Sequence, residues 1–394
     1  MTATPRPRVG VDFHTFDGLY QGSRSHLLGL YGEAVVLAPE IDFVLMSAAP
    51  DRLAHAHPAF ASANVSCVEL PHAGGLARLG WQLGVARRRH RVDLLHLQFR
   101  LPLWAGGPCA CTIHDVLFET HPQFFGRAFV PMARWTSRWS ARRAALLFSV
   151  SAYSRDELVR LYGLDPAHIP ITANGVDGER FHPAAPAGSV EGEAERALVA
   201  AHGLAPGRYL CTVGRIEPRK NHLGLLRAYA LLPAPRPPLL VIGQRDFEAA
   251  PVFEAARTLQ LGDSLHFLEN VDDAALPVLL RHALAFVYPS FAEGFGMPVA
   301  EAMASGVPVL TSDVTALPEV AGEAALYADP YRPEAIAAGL QRLLDDAALR
   351  QRLAEAGVAR AAAMRWRPSA EVLVSALRGY FGRAATPPDG PARP

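Results

Sequence analysis

Long apolar runs, cysteine and net charge are what this sequence has least of. No apolar stretch approaches the roughly 20 residues that a membrane-crossing helix needs. Nothing at the N-terminus resembles a signal peptide. The four cysteines, Cys67, Cys109, Cys111 and Cys211, lack the spacing of a zinc site. Cys109 and Cys111 alternate about Ala110 on an expected strand, so they read as core packing in a reduced compartment. Lysine plus arginine equals aspartate plus glutamate at 38 each, and bulk charge therefore offers no footprint for nucleic acid. The sequence also lacks an Asp-x-Asp pair and any internal repeat beyond two similar α/β halves. These absences describe a cytosolic chain that neither spans a membrane nor depends on disulfides.

What is present points to two domains with sizeable cores, since the chain has 394 residues and half of them are hydrophobic. The most informative stretch is residues 289–313. An apolar run over 283–288 reads as a buried strand, and the turn Glu293-Gly294-Phe295-Gly296-Met297 follows it. Pro298 stands at the expected first residue of a helix, where its missing N–H costs nothing. Gly306 ends that helix, and Val307-Pro308-Val309-Leu310 opens the next strand. Free N–H groups and the positive end of the helix dipole gather at such a turn and suit a phosphate. Taken alone, the turn also fits any α/β protein. The two acids beside it, Glu293 and Glu301, are the unusual part. Carboxylates repel phosphate, so their partner should be neutral and rich in hydroxyls, such as a sugar and a ribose. A nucleotide-sugar has both.

Glu293 and Glu301, within EGFGMPVAE, resemble the paired-glutamate signature of the retaining GT-B glycosyltransferases of family 4, and the segment TIHDVLFETHPQFF resembles their mannosyltransferase-like branch. The resemblance covers almost the whole chain, with separate motifs in the expected order. It implies a GT-B fold: two Rossmann-like, doubly wound α/β domains that close over the donor across a crevice. The expected divisions are an acceptor-side domain over 1–185, a linker over 186–207 and a nucleotide-sugar domain over 208–365. A helix over 366–383 should cross back to the first domain, and the tail over 384–394 should be disordered.

Strands alternate with helices along both halves, which predicts parallel sheets. After a first strand at 8–13, the loop carrying Asp17, Gly18, Gly22 and Ser23 is a weaker strand–glycine turn–helix device, with the helix expected over 25–37. By resemblance, Gly22 and Ser23 approach donor phosphate and acceptor; a plain βα turn is the alternative. The strand at 109–113 ends in His114-Asp115, at the carboxyl end of a parallel strand where ligands gather. The resemblance puts His114 on the acceptor side, in contact with the transferred sugar, with Asp115 beside it. His96, one strand earlier, has a weaker claim. Arg134, Arg138 and Arg142 recur every four residues beside Trp135 and Trp139, and Arg87, Arg88, Arg89 and Arg91 form a second basic cluster. Such stretches suit the surface of an anionic membrane, or else a solvated face over core tryptophans.

In the second half, Arg215 and Lys220 bracket the turn GRIEPRKN before an expected helix, and two fixed cations there suit a diphosphate. Asn270 and Val271 resemble the loop that holds the nucleobase. The donor set implied by the resemblance is therefore Gly22, Arg215, Lys220, Asn270, Val271, Glu293, Gly294, Phe295, Gly296, Met297, Pro298 and Glu301. Among these Glu293 would hold sugar hydroxyls and Glu301 the ribose, while His114, Arg215, Lys220 and Glu293 would carry catalysis.

The implied reaction is metal-independent hexosyl transfer with retention, from a nucleotide-sugar that is substrate rather than cofactor. Branch resemblance alone selects GDP-mannose. The acceptor would be a glycan or lipid-linked glycan of a surface polysaccharide such as O-antigen, made in the cytoplasm or on the inner face of the membrane. No side chain stands out as acceptor base, which leaves donor phosphate itself. Competing readings are a sugar-nucleotide epimerase or phosphorylase, and an inactive nucleotide-sugar-binding homologue.

Overall fold

A computed structural model describes residues 5–17, 21–246 and 248–385. Gly18 and most of the proposed disordered tail lie outside the described residues. The chain divides into two compact units. The first comprises described residues up to Glu119, then Gly126–Gly175 and the segment from Trp366. The second comprises Thr120–Phe125 and Val176–Arg365. The division at 175 falls inside Asn174-Gly175-Val176-Asp177, earlier than residue 185.

The first unit runs β1 (Arg8–Asp12), α1 (Gln21–Leu37), β2 (Asp42–Ser47), α2 (Pro50–Ala54), β3 (Val65–Glu69), α3 (Gly75–Ala77), α4 (Leu83–Arg89), β4 (Leu94–Gln98), β5 (Cys109–Ile113), α5 (Leu117–Thr120), α6 (Phe129–Arg143), β6 (Leu146–Ser149) and α7 (Ala152–Tyr162). Its six strands are all parallel, in the order β3-β2-β1-β4-β5-β6. Every residue of β4 and β5 is buried, as expected for central strands covered on both faces. Ser151 caps α7 by accepting from the Ser154 N–H at 3.0 Å.

The second unit runs α8 (Val190–Ala201), β7 (Leu210–Val213), α9 (His222–Ala230), β8 (Leu239–Ile242), α10 (Ala250–Thr258), β9 (Leu265–Leu268), α11 (Ala275–Arg281), β10 (Ala285–Tyr288), α12 (Met297–Ala304), β11 (Val309–Ser312), α13 (Leu317–Ala321), β12 (Ala325–Ala328), α14 (Pro333–Asp345) and α15 (Ala347–Ala362). Its parallel order, β12-β11-β10-β7-β8-β9, repeats the plan of the first sheet. The stretch read as a linker holds α8, whose Glu195 makes a buried ion pair with Arg281 of α11 at 2.8 Å. It is part of the second unit's packing.

The last helix, α16 (Trp366–Ala385), belongs to the first unit and lies along α1. Its Ala370, Leu373, Val374 and Leu377 are buried with Leu27, Leu30 and Tyr31 of α1 in one core. Burial of Leu373, Val374 and Leu377 contributes about 5 to 9 kcal/mol as an upper bound.

One expectation needs correction. Gly22 and Ser23 are not in a loop: α1 starts at Gln21 and takes both into its first turn. The apolar stripe of α1, held by α16, extends the helix past residues whose propensity favours a turn.

Candidate functional site

In each sheet the strand order reverses once, between β1 and β4 in the first unit and between β10 and β7 in the second. Crevices open at the carboxyl ends of strands at such switch points. In the second unit, β7 leads to Gly214 and Arg215 and β10 leads to Pro289 and Ser290, so both halves of the glutamate and cation motifs emerge together.

The turn after β7 is shaped by a short 3-10 helix, Pro218–Lys220, that ends at Asn221 in the left-handed region. Asn221 caps α9 through the Gly224 N–H and donates to the carbonyls of Pro289 and Pro330, at 2.9 and 2.8 Å. This ties the cation-bearing turn to the loop after β10. Lys220 Nζ lands 2.7 Å from Glu293 Oε1, and Arg219 Nη1 is 3.0 Å from Glu293 Oε2. The hydroxyls of Ser290 and Tyr288 reach the same Oε1 at 2.7 and 2.9 Å. Glu293 is buried, which by itself would push its carboxyl up. Arg219 and Lys220, with bonds from Lys220 and Ser290, outweigh that and hold it at about 2. Burial likewise pulls the Lys220 amine down, opposed by Glu293. Lys220 is also the only lysine in the sequence.

Gly296 caps α12 with φ of 111°, and a Cβ there would lie 2.7 Å from Leu317 Cδ2, so only glycine fits. Pro298 is the second helical residue rather than the first. It has no N–H to give, and the N–H groups of Gly296 and Met297 meet no acceptor among the described residues. An anion would complete them. Phe295 is buried beneath this turn. The carboxyl of Glu301, one turn inside α12, forms no hydrogen bond or ion pair among the described residues, although the Glu301 carbonyl accepts from Ser305. Burial raises its carboxyl to about 7, countered only by the charge of Arg180.

Arg215 is not part of this cluster. Its guanidinium is turned to Asp246, with Glu217 3.7 Å away, and it is 46% exposed. Asn270 adopts the left-handed conformation and accepts from Gln244 Nε2 at 2.9 Å, with Val271 beside it.

In the first unit, His114 is buried, bonded through Nε2 to Gln98, and stacked on Phe99 with centroids 4.7 Å apart. Burial, with His26 and His96 nearby, holds its pKa well below the usual histidine value, so the ring is neutral. Asp115 accepts from the Leu117 N–H at 3.1 Å. His96 is a core histidine bonded to Tyr31 and, at 2.9 Å, to Thr112. Gly22 has open space around it.

The sequence reading missed Arg219, Tyr288 and Ser290. It also missed Asp12, fully buried at the end of β1 and paired with Arg78 and with His14 at 3.1 Å. Arg78 and His14 line a cavity of about 310 Å³ with Asp17, Ser47 and His72. The signals available were slight: a lone lysine, and an acid closing an otherwise apolar strand.

Comparison with known proteins fits this geometry. Residues 199–360 match the family described as Glycosyl transferases group 1, and residues 35–180 match Glycosyltransferase Family 4. The chain is 36% identical over 258 residues to O-antigen chain mannosyltransferase B of Escherichia coli, covering 65% of this chain and 66% of that one, just under two thirds. It is 32% identical to a D-inositol 3-phosphate glycosyltransferase of Jonesia denitrificans, over 68% of this chain and 67% of that one. In fold it is similar to sucrose-phosphate synthase from Thermosynechococcus elongatus, with a TM-score of 0.76, 21% identity and 96% and 100% of the two chains covered.

Proposed function

Because the chain belongs to Glycosyltransferase Family 4 and has its GT-B fold, we propose that it moves a mannosyl group from GDP-mannose to a glycan or lipid-linked glycan, with retention and without a metal. The observation that carries this reading is the Lys220–Glu293 pair set beside the open N-terminus of α12.

The donor diphosphate meets the N–H groups at Gly296 and Met297 and draws Lys220 off Glu293. Lys220 then stabilises charge on the leaving group, and Arg219 stays behind as the counterion of Glu293. Glu293 Oε1, relieved of its lysine, accepts a hydroxyl of the donor sugar. Each fixed donor facing the leaving group contributes on the order of 3 kcal/mol to lowering the barrier. Glu301, with no protein partner, accepts the ribose hydroxyls, and Asn270-Val271 borders the base. Arg215 joins the diphosphate by leaving Asp246. His114, being neutral, serves as a hydrogen-bonding group toward the transferred sugar and not as a proton acceptor. The choice of mannose leans on the mannosyltransferase relative.

Thermal shift against GDP, UDP, dTDP, ADP and their sugars tests the donor. Binding at a hundredfold excess over Kd adds about 2.7 kcal/mol. Selective stabilisation by the GDP series supports the proposal. A UDP or dTDP response removes GDP-mannose and keeps the class. No response to any of them overturns the donor site.

A further inference from the structure

The chain as a whole is electrically balanced, but residues 70–155 are not. They hold twelve arginines against three acids, Asp93, Asp115 and Glu119. The same segment contains eight of the thirteen large apolar side chains that stand exposed among the described residues. Cation and oil are concentrated on one part of the first unit.

The structure arranges them as a continuous strip. Leu76 is 89% exposed on α3, and Trp81 is 60% exposed on the π-helical turn, residues 78–82, that leads into α4. The segment 100–104, in the connection from β4 to β5, touches both α4 and α6. Trp104 packs on Gly84, where a Cβ would come within 2.9 Å of its ring, and the Arg88 guanidinium lies 4.5 Å over it. On the other side Leu101 N–H donates to Ser140 at 2.9 Å, and Arg100 lies 5.1 Å over the ring of Phe129. Phe129, Met132 and Trp135 continue the exposed apolar edge along α6.

The arginine row of α6 is exposed but already engaged within the unit. Arg134 pairs with Glu119 at 2.9 Å, and Arg142 donates to the Tyr162 carbonyl at 2.9 Å. The cations of the strip are Arg88, Arg89 and Arg91, exposed at the end of α4, and half-buried Arg100.

We propose that this strip is a docking surface for an anionic phospholipid bilayer. The arginines complement phosphate headgroups, the tryptophans fit the interfacial region, and Leu76 and Leu103 reach the acyl boundary. A nucleic acid would reward the arginines but not the exposed leucines. Gly74 and Gly75, the residues before Leu76, line the cavity of His14 and Arg78, so the strip adjoins a polar chamber. The docking claim is independent of the proposed transfer reaction.

The test is co-sedimentation of the full chain with phosphatidylglycerol–phosphatidylcholine vesicles, pure phosphatidylcholine vesicles, and a single-stranded oligonucleotide, at low salt. Binding is expected to the anionic vesicles alone. Arg88→Ser with Arg89→Ser should weaken it about 25-fold, at about fivefold per cation. Leu76→Ser with Trp81→Ser should weaken it about tenfold at unchanged charge. All four side chains are exposed, so melting temperature and nucleotide response should not move. No binding to anionic vesicles overturns the proposal. So does binding that ignores both double variants, or a preference for the oligonucleotide that survives Leu76→Ser with Trp81→Ser.

Discussion

Lys220 Nζ and Glu293 Oε1 lie 2.7 Å apart across 73 residues of sequence, joined by turns at the carboxyl ends of two adjacent strands. The pair is buried, and its partners are unequal. Glu293 also has Arg219, Tyr288 and Ser290, whereas Lys220 has Glu293 and Tyr288.

Substitutions on the two sides should therefore behave differently. Lys220→Ala leaves Glu293 compensated by Arg219 and should cost about 1 to 2 kcal/mol of stability. It should lower kcat/KM by about 100- to 1000-fold. Glu293→Ala strips buried Lys220 of its counterion, leaves Arg219 with Glu217 as its counterion, and should cost about 3 to 5 kcal/mol. Denaturant melts beside transfer rates separate the two; equal loss of stability in both variants counts against this arrangement.

Lys220→Arg should fail almost as completely as Lys220→Ala. In a chain whose other basic side chains are all arginine or histidine, the one lysine holds a compact ammonium 5.0 Å from the Tyr288 ring centroid and 2.7 Å from Glu293, a point charge that a planar guanidinium should not reproduce. Turnover within a few-fold of the parent would show that charge alone suffices.

The same singularity gives a chemical readout. An amine-selective reagent can modify only Lys220 and the α-amino group. Inactivation should follow modification of Lys220 by mass spectrometry, and GDP at ten times its Kd should slow it about tenfold. Failure of GDP to protect, at a concentration that shifts melting, removes the diphosphate from Lys220.

Glu301 predicts a pH dependence of donor affinity. Ribose hydroxyls favour the carboxylate, and burial holds the unliganded group at about 7. Affinity for the nucleotide should be fully present above that value and fall as pH drops from 8 to 6, approaching tenfold per unit. Calorimetry on Glu301→Gln should show weaker binding and a flat profile. A parent profile that is flat over this range contradicts the ribose role.

Chelation and His114 complete the set. Transfer should proceed unchanged in EDTA if, as proposed, Lys220 and the α12 N-terminus carry the charge of the leaving group, and loss of activity on chelation would contradict that role. His114→Ala should reduce transfer without weakening nucleotide binding. Because burial holds the imidazole well below the usual histidine pKa, no rate change near that usual value should disappear with it. Loss of nucleotide binding in His114→Ala would reassign the residue.

Glu293 and Lys220 were legible because their motifs are local: each depends on a glycine or proline turn whose geometry its own residues specify. Arg219 was not, since nothing in Pro218-Arg219-Lys220 says which cation faces inward. That is decided by the 3-10 turn and by Asn221 anchoring it to Pro289. The pairing of Arg215 was not legible for a related reason, because Asp246 reaches it from the loop after another strand. The parallel sheets were legible from alternating apolar runs. The start of α1 at Gln21 was not, because its stability comes from α16, more than 300 residues downstream.

That last packing has a consequence for synthesis. Until α16 emerges, the core that Leu27, Leu30 and Tyr31 share with the sheet lacks Ala370, Leu373, Val374 and Leu377, and the face of α1 that they cover stays open. At about 5 to 20 residues per second, the wait between α1 and α16 is roughly 15 to 70 seconds. The second unit, encoded between them, has its strands in hand first. The end of the chain closes the core that its beginning opened, so the half made first is the half completed last.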